Sequence, residues 1–203
     1  WQMEQGPLKN DFSKVFDPHQ GIIRNRVIAS SKYSNVDFVD ISIFYSGLGS
    51  WFNNKPHLIP KDGRKIDPTS YVSLEQILMN LSKLSVLQNI NSITIYLDIK
   101  YINYSDARQD YQYPELSNKI CVLSSSSPSE TSQEIDKMKH SIFSYFLLKG
   151  MKGDAIGDDN VLEIGELAEY LYRKIPEYTS KTDGVMLQNP EFIGSDLKRV
   201  ILD

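Results

Sequence analysis

Three stretches of this chain bring together residues able to do chemistry: "FYSGLGS" (Phe44–Ser50), "LDIKYINYS" (Leu97–Ser105) and "LSSSSPSE" (Leu123–Glu130). The second sets an acid, Asp98, two residues before an amine, Lys100. A lysine attacks a carbonyl only through its neutral amine, and a nearby carboxylate favours the ammonium form instead. The third offers the hydroxyls of Ser124–Ser127, so a Ser/Lys dyad with Lys100 is one conceivable nucleophile and base, though no motif stands behind it. Cys121, the one cysteine, sits in the middle of "KICVLSS", where a buried apolar residue is expected, and is read as a core thiol. A relocated Cys/His pair would need Cys121 together with His57 in "KPHLIPKD" or His140 in "KMKHSIF".

Composition narrows the classes. With 203 residues, 40% of them hydrophobic, the chain is one domain (1–203) able to bury most of its apolar surface. The 22 basic residues are outnumbered by 26 acidic ones, which gives no electrostatic drive toward nucleic acid or an anionic membrane. Lys55, Lys61, Arg64 and Lys65 cluster, but Asp62 and Asp67 interleave with them, so the segment is a solvated loop. No apolar run approaches the ~18 residues a membrane span needs, and a soluble protein is expected. No signal peptide is visible in a chain that opens at Trp1. A single thiol excludes an internal disulfide and a cysteine-based metal site, and it fits a cytoplasm or an oxidising periplasm and cell envelope equally.

The elements that must position these residues follow from periodicity. "PLKNDFSKVF" predicts a helix with Pro7 at its start, and "GIIRNRVIASS" a strand punctuated by Gly21. "DFVDISIFYSG" predicts a strand apolar on both faces from Ile41 to Tyr45, as for a strand covered on two sides. A Pro/Gly/Asn-rich excursion follows from Ser50 to Tyr71. "SLEQILMNLSKLSVL" is the clearest helix: Ser73 caps it, and Leu74, Ile77, Leu78, Leu81 and Leu84 form one stripe. "SITIYLD" and "KICVLSS" are strands, the latter running into a flexible serine loop. "EIDKMKHSIFSYFLLKGM" is a second amphipathic helix ended by Gly150, "IGELAEYLYRKIP" a third closed by Pro176, and "LKRVIL" a last strand closing the sheet at an edge. This order predicts an α/β domain with a mainly parallel sheet and helices on both faces. Sites in such sheets lie beyond the carboxyl ends of the strands, so the three stretches are expected to meet in one crevice.

Five segments, in order, carry a likeness: "ISIFYSGLGSWFNNKPHLIPKD" (41–62), "ITIYLDIKYINYS" (93–105), "SQEIDKMKHSIFSYFLLKGMKGDA" (132–155), "GDDNVLEIGELAEYLYRKIP" (157–176) and "LQNPEFIG" (187–194). Together they resemble the caspase-like cysteine peptidases of bacteria and their metacaspase relatives. In that family one strand runs into Tyr-Ser-Gly-His-Gly and the next catalytic strand ends Leu-Asp-Ala-Cys. The resemblance spans about Asp37 to Gly194, leaving residues 1–36 divergent or truncated relative to the family. It implies a three-layer caspase-hemoglobinase-like sandwich.

What the resemblance implies for chemistry is a loss. The histidine position is Leu48 and the cysteine position is Lys100. A hydrocarbon and an ammonium cannot replace the base and the thiolate. No catalytic residue is therefore expected. Ser46, Gly47, Gly49, Asp98, Ser125 and Ser126 are expected to line the old cleft, Gly47 and Gly49 preserving its backbone turn and an oxyanion-hole amide. The calcium loop of many relatives is also degenerate: its register falls on Ala155, Gly157, Asp159, Asn160, Leu162 and Glu166, two early ligands having lost their oxygens. Neither a metal nor a cofactor is expected. The resulting expectation is a non-catalytic, pseudo-protease domain. It would act through protein partners, as a scaffold or assembly subunit or as a regulator of a caspase-like paralogue, with "LKRVIL" adding to a partner's sheet. Trp51, Phe52, Tyr101, Tyr104, Tyr111 and Tyr113 are the expected contact aromatics. The alternatives are a peptidase with a relocated nucleophile or a module that captures peptides without cutting them.

Overall fold

Alternation along the central strands decides the architecture. The computed structural model describes residues 6–33, 36–103, 111–135 and 139–202. In chain order its elements are α1 (Lys9–Phe16), α2 (Ile22–Tyr33), β1 (Val39–Phe52), β2 (Lys55–Leu58), β3 (Val72–Ser73), α3 (Leu74–Leu84), β4 (Ile90–Tyr101), β5 (Ile120–Ser124), β6 (Glu134–Ile135), β7 (His140–Ser141), α4 (Ile142–Lys149), β8 (Leu162–Glu163), α5 (Ile164–Lys181), β9 (Glu191–Ile193) and β10 (Val200–Leu202). Successive strand side chains point to opposite faces. Ile93, Ile95, Leu97, Ile99 and Tyr101 of β4 therefore join one apolar cluster with Phe12 of α1, Val27 of α2 and the stripe of α3. Tyr96, with Cys121 and Leu123 of β5, joins a second cluster with α4 and α5. Helices cover both faces of the sheet, as the order of elements led us to expect.

The sheet is mixed. Its order is β3-β2-β1-β4-β5-β9. β1, β4 and β5 run parallel, while β2, β3 and β9 are antiparallel to their neighbours. The expected mainly parallel sheet is thus a three-stranded parallel centre with antiparallel flanks. The expected excursion after Ser50 is instead a hairpin. Asn53 and Asn54 take positive φ (51° and 59°) between the paired ends Phe52 and Lys55, the twist that a two-residue turn requires.

Four further expectations are corrected. "GIIRNRVIASS" is helix α2. Asp17 Oδ1 accepts the backbone N–H groups of His19 and Gln20, setting up the turn, and Val27 buries at helical spacing from the half-buried Ile23. That tertiary contact outweighs the β preference of four branched residues. The second amphipathic helix begins at Ile142, since Glu134–Ile135 and His140–Ser141 pair as strands; Asp136–Met138 lie outside the described residues. α5 runs through Pro176 to Lys181, because Ile175 and Thr179, both buried, hold the chain on the core across a break that costs ~3 kcal/mol in an isolated helix. "LKRVIL" does not close the main sheet; β10 pairs with β8, and β9 is the edge beside β5.

β1 is not covered on two sides. Its odd residues Ile41, Ile43 and Tyr45 pack on the α1–α3 cluster. The even residues Asp40, Ser42, Phe44, Ser46 and Leu48 are exposed, because α4 and α5 lie over Tyr96 and Asp98 of β4 and over β5 instead.

Candidate functional site

The carboxyl ends of β1, β4 and β5 do come together. In register, Ser46 faces Asp98, Gly47 faces Ile99 and Leu48 faces Lys100 on β1 and β4, while Leu97 of β4 faces Ser124 of β5. Register partners in a parallel pair share a face. Leu48, 40% exposed, therefore stands beside the exposed Lys100 on one side of the sheet. Lys100 stands in solvent, outside the apolar enclosure that activates a lysine nucleophile.

Asp98 is not Lys100's partner. It is buried, and its carboxylate accepts three hydroxyls: Ser132 Oγ on Oδ1 at 2.5 Å, Ser144 Oγ on Oδ2 at 2.5 Å, and Ser141 Oγ on Oδ2. Ser141 also caps α4, accepting the Ser144 N–H at 2.9 Å. The acid ties the end of β4 to the start of α4 and to the strip after β5. That strip is anchored further by Ser132 N–H to Ile99 O (3.1 Å) and Thr131 Oγ1 to Tyr101 O (3.2 Å). These three serines were not nominated from the sequence. A serine N-cap three residues before a second serine was the available signal, and its target lies 43 residues back.

The serine run is not a flexible loop. Ser124, Ser125 and Ser126 are buried. Ser125 N–H donates to Leu97 O at 2.7 Å, and its Oγ accepts Ile99 N–H at 3.2 Å. Ser124 Oγ donates to Ser126 O at 3.1 Å. Gln188, fully buried, donates from Nε2 to Ser125 O at 2.8 Å, which explains the place of "LQNP". Ser126 Oγ is buried without a hydrogen-bond partner. Three of the expected cleft-lining residues, Asp98, Ser125 and Ser126, are therefore interior, as is Gly49; Ser46 is exposed and Gly47 half-buried. No hydrogen bond joins Lys100 to a serine of the run among the described residues.

Gly47 and Gly49 do not form a turn. Both lie inside β1, which continues to Phe52. They are glycines because neighbours occupy the space of a Cβ: the Tyr45 hydroxyl would lie 2.6 Å from one on Gly47, and Ile99 Cγ2 2.5 Å and Tyr101 Cε1 2.8 Å from one on Gly49. Burial pushes the Tyr45 hydroxyl up to about 12, and it donates to Leu48 O at 3.3 Å.

The other nucleophile candidates are apart. Cys121 is buried in β5 beside Thr94, its Sγ directed at Asp196 O (3.8 Å), and burial raises its thiol above the usual range. His57 is on β2, beyond β1, with Nδ1 2.9 Å from Lys55 O and its ring edge-on to Phe52. His140 is exposed on β7, ahead of α4 rather than on it.

Most of the expected contact aromatics are structural. Trp51 and Tyr101 are buried, on the face opposite Lys100. Trp51 packs against Tyr101 at 5.5 Å and Tyr111 at 5.1 Å, and Tyr111 against Tyr113 at 5.2 Å. Odd positions on β1 and β4 face the core, so the nomination of Trp51 and Tyr101 as a surface is corrected, while Tyr111 and Tyr113 are half-buried against them. Phe52 is exposed, and Tyr104 lies outside the described residues.

In the degenerate calcium loop, Glu166 Oε2 accepts Glu163 N–H at 3.0 Å, and Asp159 Oδ1 accepts Val161 N–H at 3.1 Å. These oxygens cap α5 and its approach. No cluster of three or more His, Cys, Asp or Glu able to hold a metal occurs among the described residues. No described helix is long and apolar enough to cross a membrane.

Two clefts lie elsewhere. One of about 520 Å³ opens at the amino ends of β4 and β5, lined by Asp40, Asn91, Ser92, Asn118, Lys119 and Arg199. Arg199 is itself buried and donates to Ile93 O and Asn118 O, both at 3.1 Å. The other, about 390 Å³, lies along β9 beside Tyr111, Tyr113, Tyr172 and Glu191. Burial, and then repulsion from Glu130, raise the Glu191 carboxyl above the usual range. In comparisons with known proteins, no family model and no curated protein matches the chain.

Proposed function

We propose that the chain is a caspase-like domain that has lost its catalytic dyad and works by binding other protein surfaces. One observation carries the reading. Leu48 and Lys100, where the resemblance calls for an imidazole and a thiol, are register partners on the same exposed face at the ends of adjacent parallel strands. The spacing suits a two-residue catalytic pair, and the residue types cannot act as one. Beneath them Asp98 is committed to three serines, and behind them the serine run is packed against β4. The layered α/β architecture fits a three-layer sandwich of the caspase-hemoglobinase kind. Retention of the scaffold beside a surface without chemistry supports a role as scaffold, assembly subunit or regulator.

Incubating the protein with fluorogenic peptides ending in Lys, Arg or Asp, with and without calcium, tests this reading. The expected result is no turnover. Turnover abolished by Lys100→Ala or Cys121→Ala would overturn it and favour a peptidase with an unusual nucleophile.

A further inference from the structure

The cleft along β9 holds an acid without a countercharge. Glu191 stands in register with Ser124 of β5, and Ser124 with Leu97 of β4. Register partners share a face, so Glu191 lies with Leu97 on the α1–α3 side of the sheet, opposite Leu48 and Lys100. Its carboxylate is half-buried, and among the described residues it accepts no hydrogen bond and forms no ion pair. Burial, and then the like charge of Glu130, raise its pKa. Glu130 is itself committed: its two oxygens accept Asn189 N–H at 2.5 Å and Asn189 Nδ2 at 2.6 Å. A carboxylate desolvated without a partner is destabilised, and a cation bound beside it removes that penalty.

Tyrosines wall the cleft. Tyr111 and Tyr113 line it from the α1–α3 side, and Tyr172 of α5 lines it from the other. The rings of Tyr111 and Tyr113 stand at 74° to each other with centroids 5.2 Å apart, so their faces point in different directions. Tyr111 is fixed by its hydroxyl, which donates to Glu75 Oε1 at 3.1 Å. Tyr172 is 44% exposed and forms the outer wall. Burial first, and the charge of Glu191 after it, raise the hydroxyls of Tyr113 and Tyr172, so these rings stay neutral around the acid.

We propose that this cleft binds an organic ammonium ion, an amine or methylated amine on a carbon chain, with Glu191 as its counterion and Tyr111, Tyr113 and Tyr172 as its walls.

The charge selects a cation, and the rings select an organic one. An alkylated ammonium is attracted to the face of a tyrosine within about 6 Å of the centroid. Calcium takes six or more oxygen ligands. Here Glu130 already serves Asn189, and no cluster of three or more His, Cys, Asp or Glu able to hold a metal occurs among the described residues. An anion would meet two acids, and an apolar ligand would leave Glu191 desolvated and unpaired. The volume, about 390 Å³, falls within the ~300–1,000 Å³ of small-ligand pockets. The site uses neither dyad position, so it stands independently of the binding-domain reading. The cation has two sources, a free amine or a lysine side chain of a partner protein.

Isothermal titration calorimetry of the chain at about pH 8, above the ordinary glutamate range, tests the site. The probes are choline, Nα-acetyl-lysine amide, calcium, and the uncharged isostere of choline in which a quaternary carbon replaces the nitrogen. We expect saturable binding of choline, of the lysine amide or of both, and none of the isostere. Glu191→Gln should weaken that binding roughly tenfold or more, and Tyr172→Leu several-fold, both variants keeping the native circular dichroism. Tighter binding of the lysine amide assigns the cation to a partner's side chain, and tighter binding of choline to a free amine; either supports the site. No binding of choline or the lysine amide up to ~10 mM would overturn it. So would equal binding of the isostere or of calcium, or an affinity unchanged in Glu191→Gln. Turnover of the peptide reporters bears on the dyad and leaves this site untouched.

Discussion

Asp98 accepts the Ser144 hydroxyl at 2.5 Å across 46 residues of sequence, and forms no ion pair with Lys100 two residues along its own strand. An acid placed by the sequence at a catalytic edge is instead a tie between strand and helix. Asp98→Ala would leave three buried hydroxyls without their acceptor and open a cavity. Since hydrogen bonds to a charged group each contribute roughly 1.5–3 kcal/mol, we expect a loss of at least ~3 kcal/mol in urea unfolding. Asp98→Asn, which keeps one acceptor oxygen, should lose less. A loss below ~1 kcal/mol for the alanine variant would contradict the structural role.

The glycines separate packing from turn formation. Gly49→Ala drives a Cβ into Ile99 and Tyr101, both held in the core, and should cost ~1–3 kcal/mol. Gly47→Ala meets chiefly the far end of Tyr45, which can swing, and should cost less. Chemical denaturation of the pair checks the order; Gly47→Ala being the more damaging would speak against β1 running straight through this segment.

Trp51 and Phe52 are neighbours on opposite faces of one strand. Trp51→Ala empties a core site and should cost ~3–5 kcal/mol. Phe52→Ala, at an exposed ring, should cost under ~1 kcal/mol. Thermal melts of both variants suffice, and equal losses would contradict the face assignment.

These aromatics also mark how much could be read from the chain alone. α3 was legible because its stripe and cap are local: Ser73 Oγ accepts Gln76 N–H three residues on, and all five stripe residues are buried. β4 and β5 were legible as apolar runs. Which side of a strand is covered was not, because it depends on partners far along the chain. Trp51 looked like a surface ring and is closed over by Tyr111, 60 positions on. The serine run looked like a flexible loop, and Ser125 O accepts Gln188 Nε2 from 63 residues on. α2 was missed for the complementary reason, its branched residues favouring a strand until Val27 and Ile23 meet the core. The choice of Leu48 and Lys100 came from the resemblance, which assigns them to the two dyad positions, and their register pairing is set by strands about 50 residues apart. The burial of Asp98 and of Ser124–Ser126 below them was not legible.

Glu191 predicts a pH effect. Its folded-state pKa is raised, so folding favours the protonated form. The stability it contributes is present below the ordinary glutamate range and is lost as pH rises through the raised value. Glu191→Gln should therefore melt higher than wild type at pH 7 and no higher at pH values near 4. A variant that melts lower at pH 7 would show that the ionised carboxylate is needed in place.

The central claim is that Leu48 and Lys100 hold the geometry of a catalytic pair without its chemistry. Installing the chemistry tests it: the rate of iodoacetamide alkylation against pH, compared between Lys100→Cys and Leu48→His/Lys100→Cys. The buried Cys121 makes the wild-type protein a low blank. An adjacent imidazolium stabilises a thiolate, so the double variant should alkylate with a midpoint lower than the single variant's. Superimposed profiles would mean that the two side chains do not meet, and the account of a disarmed pair would fall.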